Sequence, residues 1–181
     1  MRPMVGAILA GGLGTRMGGA KATRVLAGRP LASYPAATLS AMCDRVAIVA
    51  KRDTELPRLD GVELWVEPDE PRHPLTGLIH ALERAGGPVL VCAVDMPFVT
   101  EDACRGLIAA AGVAVADGRL QPLFGVYAPP ALAVLRGAPR DAPLTRTVEA
   151  LGPALVEVPA GVVLSVDTPE ALALAERLQR R

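Results

Sequence analysis

The sequence predicts an α/β domain of three layers around a mainly parallel sheet. Short unbroken apolar runs alternate with segments of helical period, as expected where strands are buried on both faces. A glycine-rich turn leaves the first run directly, where open α/β sheets bind ligands. No linker or internal repeat interrupts the pattern, so residues 1–181 read as a single domain.

Val5 to Leu9 is the first strand, apolar throughout and ending in glycines. Pro30 to Met42 is a helix opened by proline, with Leu31, Tyr34 and Leu39 for one face. Val46 to Ala50 and Val62 to Val66 are the next strands. Leu75, Leu78, Ile79 and Leu82 form a helical stripe over Leu75 to Arg84. Val89 to Val94 is the most strand-like run of the chain. Thr100 then caps a helix whose first turn carries Glu101 and Asp102, favourable at the positive end of the helix dipole. Asp117-Gly118 is a turn pair joining Val113 to Ala116 with Leu123 to Tyr127 as a hairpin. An irregular insertion follows Tyr127, with a short helix at Pro129 to Leu135. Leu155 to Val158 and Val162 to Val166 read as short strands. A last helix runs from Pro169 to Arg180, capped by Thr168.

Composition excludes several functions. Lys+Arg 19 against Asp+Glu 19 leaves no basic excess to neutralise a phosphate backbone. One Trp, two Tyr and two Phe are too few for base-stacking platforms. Two histidines, His73 and His80, preclude a His-rich metal site. Cys43, Cys92 and Cys104 form no close pair and read as small core residues of a protein from a reducing compartment, the cytoplasm. The apolar start, Met1 to Ala10, is too short for a membrane span and reads as a strand, not a signal peptide.

Two motifs carry chemistry. From Gly11 to Gly19 there are five glycines in nine positions, which lets the backbone approach a ligand and offer N–H groups to an anion. Arg16 and Lys21 add positive charge beside this loop. Neither standard phosphate template is matched: Met17 stands where the dinucleotide pattern needs glycine, and Ala20-Lys21-Ala22 lacks the Walker sequence. The second motif is Val94-Asp95-Met96-Pro97-Phe98. A carboxylate directly after an apolar strand lies at the sheet's carboxyl edge, where it can hold Mg²⁺ against substrate phosphates or simply begin a turn.

These blocks resemble the molybdenum cofactor guanylyltransferases, members of the nucleotidyltransferase superfamily with a Rossmann-like core. The likeness begins with Leu9-Ala10-Gly11-Gly12, Thr15-Arg16-Met17-Gly18-Gly19, Lys21 and Leu26-Ala27-Gly28-Arg29-Pro30-Leu31. It continues through Pro74-Leu75-Thr76-Gly77, Asp95-Met96-Pro97-Phe98-Val99, Gln121-Pro122-Leu123-Phe124 and Val166-Asp167-Thr168-Pro169-Glu170. The blocks keep the family's order over nearly the whole chain.

The resemblance implies a reaction in which a phosphate oxygen of molybdopterin attacks the α-phosphate of GTP and pyrophosphate leaves. It implies Leu9, Ala10 and Gly11 along the nucleotide, Gly12 and Gly14 shaping the loop, and Arg16 and Lys21 on phosphates. Asp95 would bind Mg²⁺, Gly77 would border the nucleotide, and Asp69 is the best candidate for the family's nucleotide-binding Asp upstream of Pro-Leu-Ala-Gly. Arg16, Lys21 and Asp95 are thus the expected catalytic set. GTP and molybdopterin are the implied partners, with contact to proteins that deliver or accept the cofactor. Lys51 stands in a segment where relatives often carry asparagine, His73 replaces the glycine before Pro74, and Ser165-Val166-Asp167 replaces Asn-x-Asn. Asp167 is most simply a helix-start residue, the alternative being a second metal contact.

Other readings are distinguishable. Cytidylyltransferase relatives usually carry Leu-Ala-Ala-Gly where Leu9-Ala10-Gly11-Gly12 stands, and lack the Pro-Leu-x-Gly block. Cobinamide-phosphate guanylyltransferases share the glycine loop but not Asp95-Met96-Pro97-Phe98. A non-catalytic nucleotide-binding module would not need Arg16, Lys21 and Asp95 together, and Met17 argues against a dehydrogenase.

Overall fold

A computed structural model describes residues 4–11, 21–139 and 142–180. Nine strands and six helices are assigned among them: β1 (Val5–Leu9), β2 (Val25–Leu26), β3 (Arg29–Pro30), α1 (Ser33–Met42), β4 (Arg45–Ala50), β5 (Val62–Val66), α2 (Pro74–Ala85), β6 (Val89–Ala93), α3 (Glu101–Ala110), β7 (Gly112–Ala116), β8 (Arg119–Tyr127), α4 (Ala131–Gly137), α5 (Leu144–Glu149), β9 (Ala154–Glu157) and α6 (Pro169–Gln179). Seven strands form one sheet in the order β5-β4-β1-β6-β8-β7-β9. β1 lies parallel to both β4 and β6, and β4 is parallel to β5. Only β8 is reversed, antiparallel to both β6 and β7, while β9 is parallel to β7. The expected three-layer, mainly parallel α/β architecture is the one observed.

Alternation along the central strands divides the core into two layers. Ile8, Ile48, Leu90 and Cys92 face α1 and α3, packing with Leu39, Cys104 and Leu107. Ala7, Leu9, Val49 and Val91 face the other way, toward Leu78 and Leu82 of α2, Leu135 of α4 and Val148 of α5. Burial on both faces is why these strands are apolar without interruption.

The first helix is not opened by proline as expected: Pro30 lies in β3 and α1 begins at Ser33. The threonine caps act as read. Thr100 Oγ1 accepts from the Ala103 amide (3.3 Å), and Thr168 Oγ1 accepts from the Ala171 amide (3.1 Å). Asp117 (φ 50) and Gly118 (φ 68) form the β7–β8 turn with both central residues left-handed, as a two-residue hairpin loop requires. Two further expectations need correction. Val162 to Val166 is not a strand: Ala160–Val163 is a 3-10 turn, and the Val166 amide donates to the Asp95 carbonyl instead of a ladder (2.8 Å). The insertion after Tyr127 contains a second helix, α5, whose short apolar face (Leu144, Val148) gave too little periodicity to see.

Candidate active site

The site stands at the carboxyl edge of the central strands. The Ala10 amide donates to the Val49 carbonyl (2.8 Å), and the Leu9 carbonyl accepts from the Val94 amide (3.1 Å). The start of the glycine loop is thereby held between the ends of β4 and β6. Asp95 follows β6 by two residues, which sets it in one cleft with Ala10 and Gly11. Its Oδ2 accepts from Lys21 Nζ at 2.8 Å and from Ser165 Oγ at 3.0 Å. Both charged side chains remain partly open, Lys21 at 23% and Asp95 at 13%. The sequence places these two 74 positions apart; the β1–β6 register brings them together. Gly12, Gly14 and Arg16, also expected here, lie outside the described residues.

Leu9, Ala10, Gly11, Lys21, Gly77 and Asp95 line one cleft with Glu67. Asp69 does not line it; it is exposed in the loop beyond β5. Glu67 takes the inward place instead. Its amide donates to the Ala50 carbonyl (2.9 Å), which prolongs the β4–β5 ladder by one residue. Trp65 is buried, Val66 exposed and Glu67 buried again, a period of two that aims Glu67 into the cleft. That alternation was the available signal for Glu67. Ser165, the other unforeseen residue, carries no comparable sequence signal because its position depends on the 3-10 turn before it.

Glu67 is 4% exposed and Lys51 2%. Lys51 Nζ lies 3.6 Å from Glu67 Oε2 and donates to the carbonyls of Pro68 and Pro71, the latter at 3.3 Å. Burial pushes the Glu67 carboxyl up, with the Lys51 charge pulling the other way. The backbone opposite is glycine. A Cβ at Gly11 would collide with Glu67 Oε1, and one at Gly77 would sit 3.1 Å from Oε2. His73 is the N-cap of α2, its Nδ1 accepting from the Leu75 amide (3.2 Å). No group of three or more His, Cys, Asp or Glu side chains among the described residues is arranged to hold a metal. No helix among them is long and apolar enough to cross a membrane.

Gly11, a lysine and a carboxylate gathered where parallel strands end define a nucleotide-handling α/β protein. Residues 6–158 match the family described as MobA-like NTP transferase domain. A molybdenum cofactor guanylyltransferase from Cereibacter sphaeroides is 39% identical, the match covering 98% of both chains. A probable molybdenum cofactor guanylyltransferase from Deinococcus radiodurans is 39% identical over 61% of this chain and 56% of its own. Among solved structures, molybdopterin-guanine dinucleotide biosynthesis protein A from Archaeoglobus fulgidus superposes with a TM-score of 0.75, at 22% identity, over 97% of this chain and 98% of that one. A 2-C-methyl-D-erythritol 4-phosphate cytidylyltransferase from Thermus thermophilus gives 0.68 at 26% identity over 100% of both. The chain belongs to the molybdenum cofactor guanylyltransferase family, within the MobA-like NTP transferases. It is a nucleotidyltransferase enzyme of molybdenum cofactor biosynthesis.

Proposed function

We propose that this protein transfers GMP from GTP to the phosphate of molybdopterin, with Mg²⁺ at Asp95 and with Lys21 and Arg16 on the phosphates. The observation that carries the reading is the Lys21–Asp95 contact of 2.8 Å in one cleft with Gly11, at the edge where β1 and β6 end. The names of the relatives support guanylyl transfer in particular.

In the reaction a molybdopterin phosphate oxygen forms a bond to the α-phosphorus. The bond from that phosphorus to the bridging oxygen breaks, and pyrophosphate leaves with the electron pair. The nucleophile is already ionised, so no strong general base is needed. The cleft suits this: its histidine, His73, has Nδ1 engaged as a helix cap. Catalysis then rests on positioning and charge. Lys21, held by Asp95, is preorganised to offset charge developing on the transferred phosphate. Leu9, Ala10 and Gly11 line the nucleotide, and Gly77 keeps the opposite wall close.

Asp95 fits a hard divalent cation. Its described hydrogen bonds fall on Oδ2, its side chain is partly open to the cleft, and Mg²⁺ takes one or two carboxylates with substrate phosphates. When bound, Mg²⁺ supplies neutralisation of phosphate charge. The test is to incubate the protein with molybdopterin and each of the four NTPs, with and without Mg²⁺, and follow pyrophosphate. Release with GTP and Mg²⁺ is expected; preference for CTP, as in the cytidylyltransferase likeness, would overturn the guanylyl assignment.

A further inference from the structure

On one side the seven-stranded sheet ends at β5, and β4 is its one strand neighbour among the described residues. The Glu67 amide donates to the Ala50 carbonyl of β4 (2.9 Å). Successive residues of a strand turn their backbone groups alternately to the two sides. Glu63 and Trp65 therefore bond toward β4, and Val62, Leu64 and Val66 turn theirs to the open edge. The Val62 amide is engaged by the Leu59 carbonyl (3.4 Å). The same three residues share one face of the sheet. Val62 packs there against the core layer under α1 and α3, with Leu56 and Leu59 of the β4–β5 connection. That connection carries no helix, and it leaves Leu64 54% exposed and Val66 43%. The opposite face is settled within the chain: Glu63 accepts from Arg45 (2.9 and 3.0 Å) and from Trp65 Nε1 (2.9 Å). Open backbone groups and exposed apolar side chains on the same residues make an edge that invites another strand.

We propose that β5 pairs antiparallel with β5 of a second copy of this chain, on a two-fold axis at Leu64. The edge is self-complementary, as a two-fold interface requires. Val62, Leu64 and Val66 form an apolar row that reads alike from both ends. With the axis at Leu64, that residue exchanges both backbone hydrogen bonds with Leu64 of the copy, and Val62 stands opposite Val66 of the copy. The axis runs perpendicular to the sheet, so the two rows merge on one face and their side chains pair across the strands. Charge agrees with this direction. Arg58 and Glu70 are exposed and stand six positions either side of Leu64, so the axis brings each toward the other's copy. The net charge of zero adds no general repulsion. Pairing joins two seven-stranded sheets into one. Antiparallel strands point their carboxyl ends apart, so the two clefts open at opposite rims and neither is covered.

The proposal is independent of the guanylyl reading. Sedimentation equilibrium of the full chain should show monomer and dimer exchanging with a Kd between about 1 μM and 1 mM, as expected for an interface below roughly 1,200 Å². Leu64→Lys sets like charges across the axis and should abolish the dimer, with pyrophosphate release per chain unchanged. Leu64→Cys should cross-link under oxidised glutathione, because a hydrogen-bonded antiparallel pair holds its Cα atoms about 5.5 Å apart, within disulfide reach. Leu155→Cys, exposed on β9 at the opposite edge, should not. A wild type that stays monomeric up to about 1 mM leaves the edge to a strand of another protein and overturns the proposal. A dimer that survives Leu64→Lys overturns it, as does cross-linking no greater at Leu64→Cys than at Leu155→Cys. Assemblies larger than a dimer overturn it too, since β5 against β9 repeats without closing. If Leu64→Lys does not fold, the cross-linking decides.

Discussion

At Asp95 one side chain meets a cation and a hydroxyl, and it is the residue proposed for the metal. Asp95→Asn keeps an oxygen for Ser165 and removes the charge. If the carboxylate acts on the transition state, kcat falls by about 10²-fold or more, on the order of 3 kcal/mol, while the Kd for GTP moves far less. Steady-state kinetics beside calorimetry would show the split; equal losses in both would mean uniform binding. Lys21→Ala removes the cation proposed for the phosphates and leaves Asp95 without its ion pair. It is expected to weaken GTP binding and slow turnover together, measured as a rise in KM with a fall in kcat. The cysteines behave oppositely to such site residues. Burial pushes the Cys43 thiol up to about 12 and Cys104 to about 11, and raises Cys92 as well. A raised thiol pKa means little thiolate at neutral pH, and thiolate is the reactive form. All three should resist iodoacetamide in the native protein and react after unfolding in urea, as counted by intact mass.

Local signals proved strong at the elements and weak at the loops. Strands β1, β4 and β6 were legible because burial on both faces demands unbroken apolar runs, and the caps at Thr100 and Thr168 were legible because a hydroxyl must meet an orphan amide. Lys21 and Asp95 were legible from residue type and their places after a strand and a glycine loop. The place of Glu67 was not. Asp69 looked equivalent in sequence, and only the Glu67–Ala50 ladder bond shows which of the two acids turns inward. Ser165 stayed hidden because a 3-10 turn, not a strand, delivers it. The caps allow a prediction remote from the cleft. Thr100→Ala removes the acceptor for the Ala103 amide and should cost about 1 kcal/mol of stability. Urea denaturation would read that cost directly.

Two large core layers lie on opposite faces of one sheet, and a smaller cluster of Leu26, Leu31, Val166 and Ala175 stands apart from them among the described residues. Ile8 belongs to the layer under α1 and α3, Leu78 to the layer under α2. Ile8→Val should cost roughly 0.5–1.5 kcal/mol and Leu78→Ala roughly 2–5 kcal/mol. Because the two share no core layer, the double variant should lose their sum to within about 0.5 kcal/mol. Chemical unfolding of all four proteins tests this; a larger deviation would mean that the sheet transmits strain between its faces.

Strand β8 has one further consequence at this scale. Its last four residues, Phe124 to Tyr127, pair with β6, while Arg119 to Leu123 run past that partner's end. Leu123 reaches the cleft from this overhang. The overhang is a parapet built on the sheet's rim and tied on one side to β7, where the register slips by three residues between the Val113–Gly125 and Ala114–Gln121 pairs. Its height can change beyond the Phe124–Cys92 pair without disturbing the β6 ladder. A single insertion would turn every side chain above it from cleft to back unless a bulge absorbs it, as the irregularity already in this hairpin absorbs its extra residues. The opening above this site can therefore be remodelled along one hairpin, in pairs of residues or at the irregularity built into it.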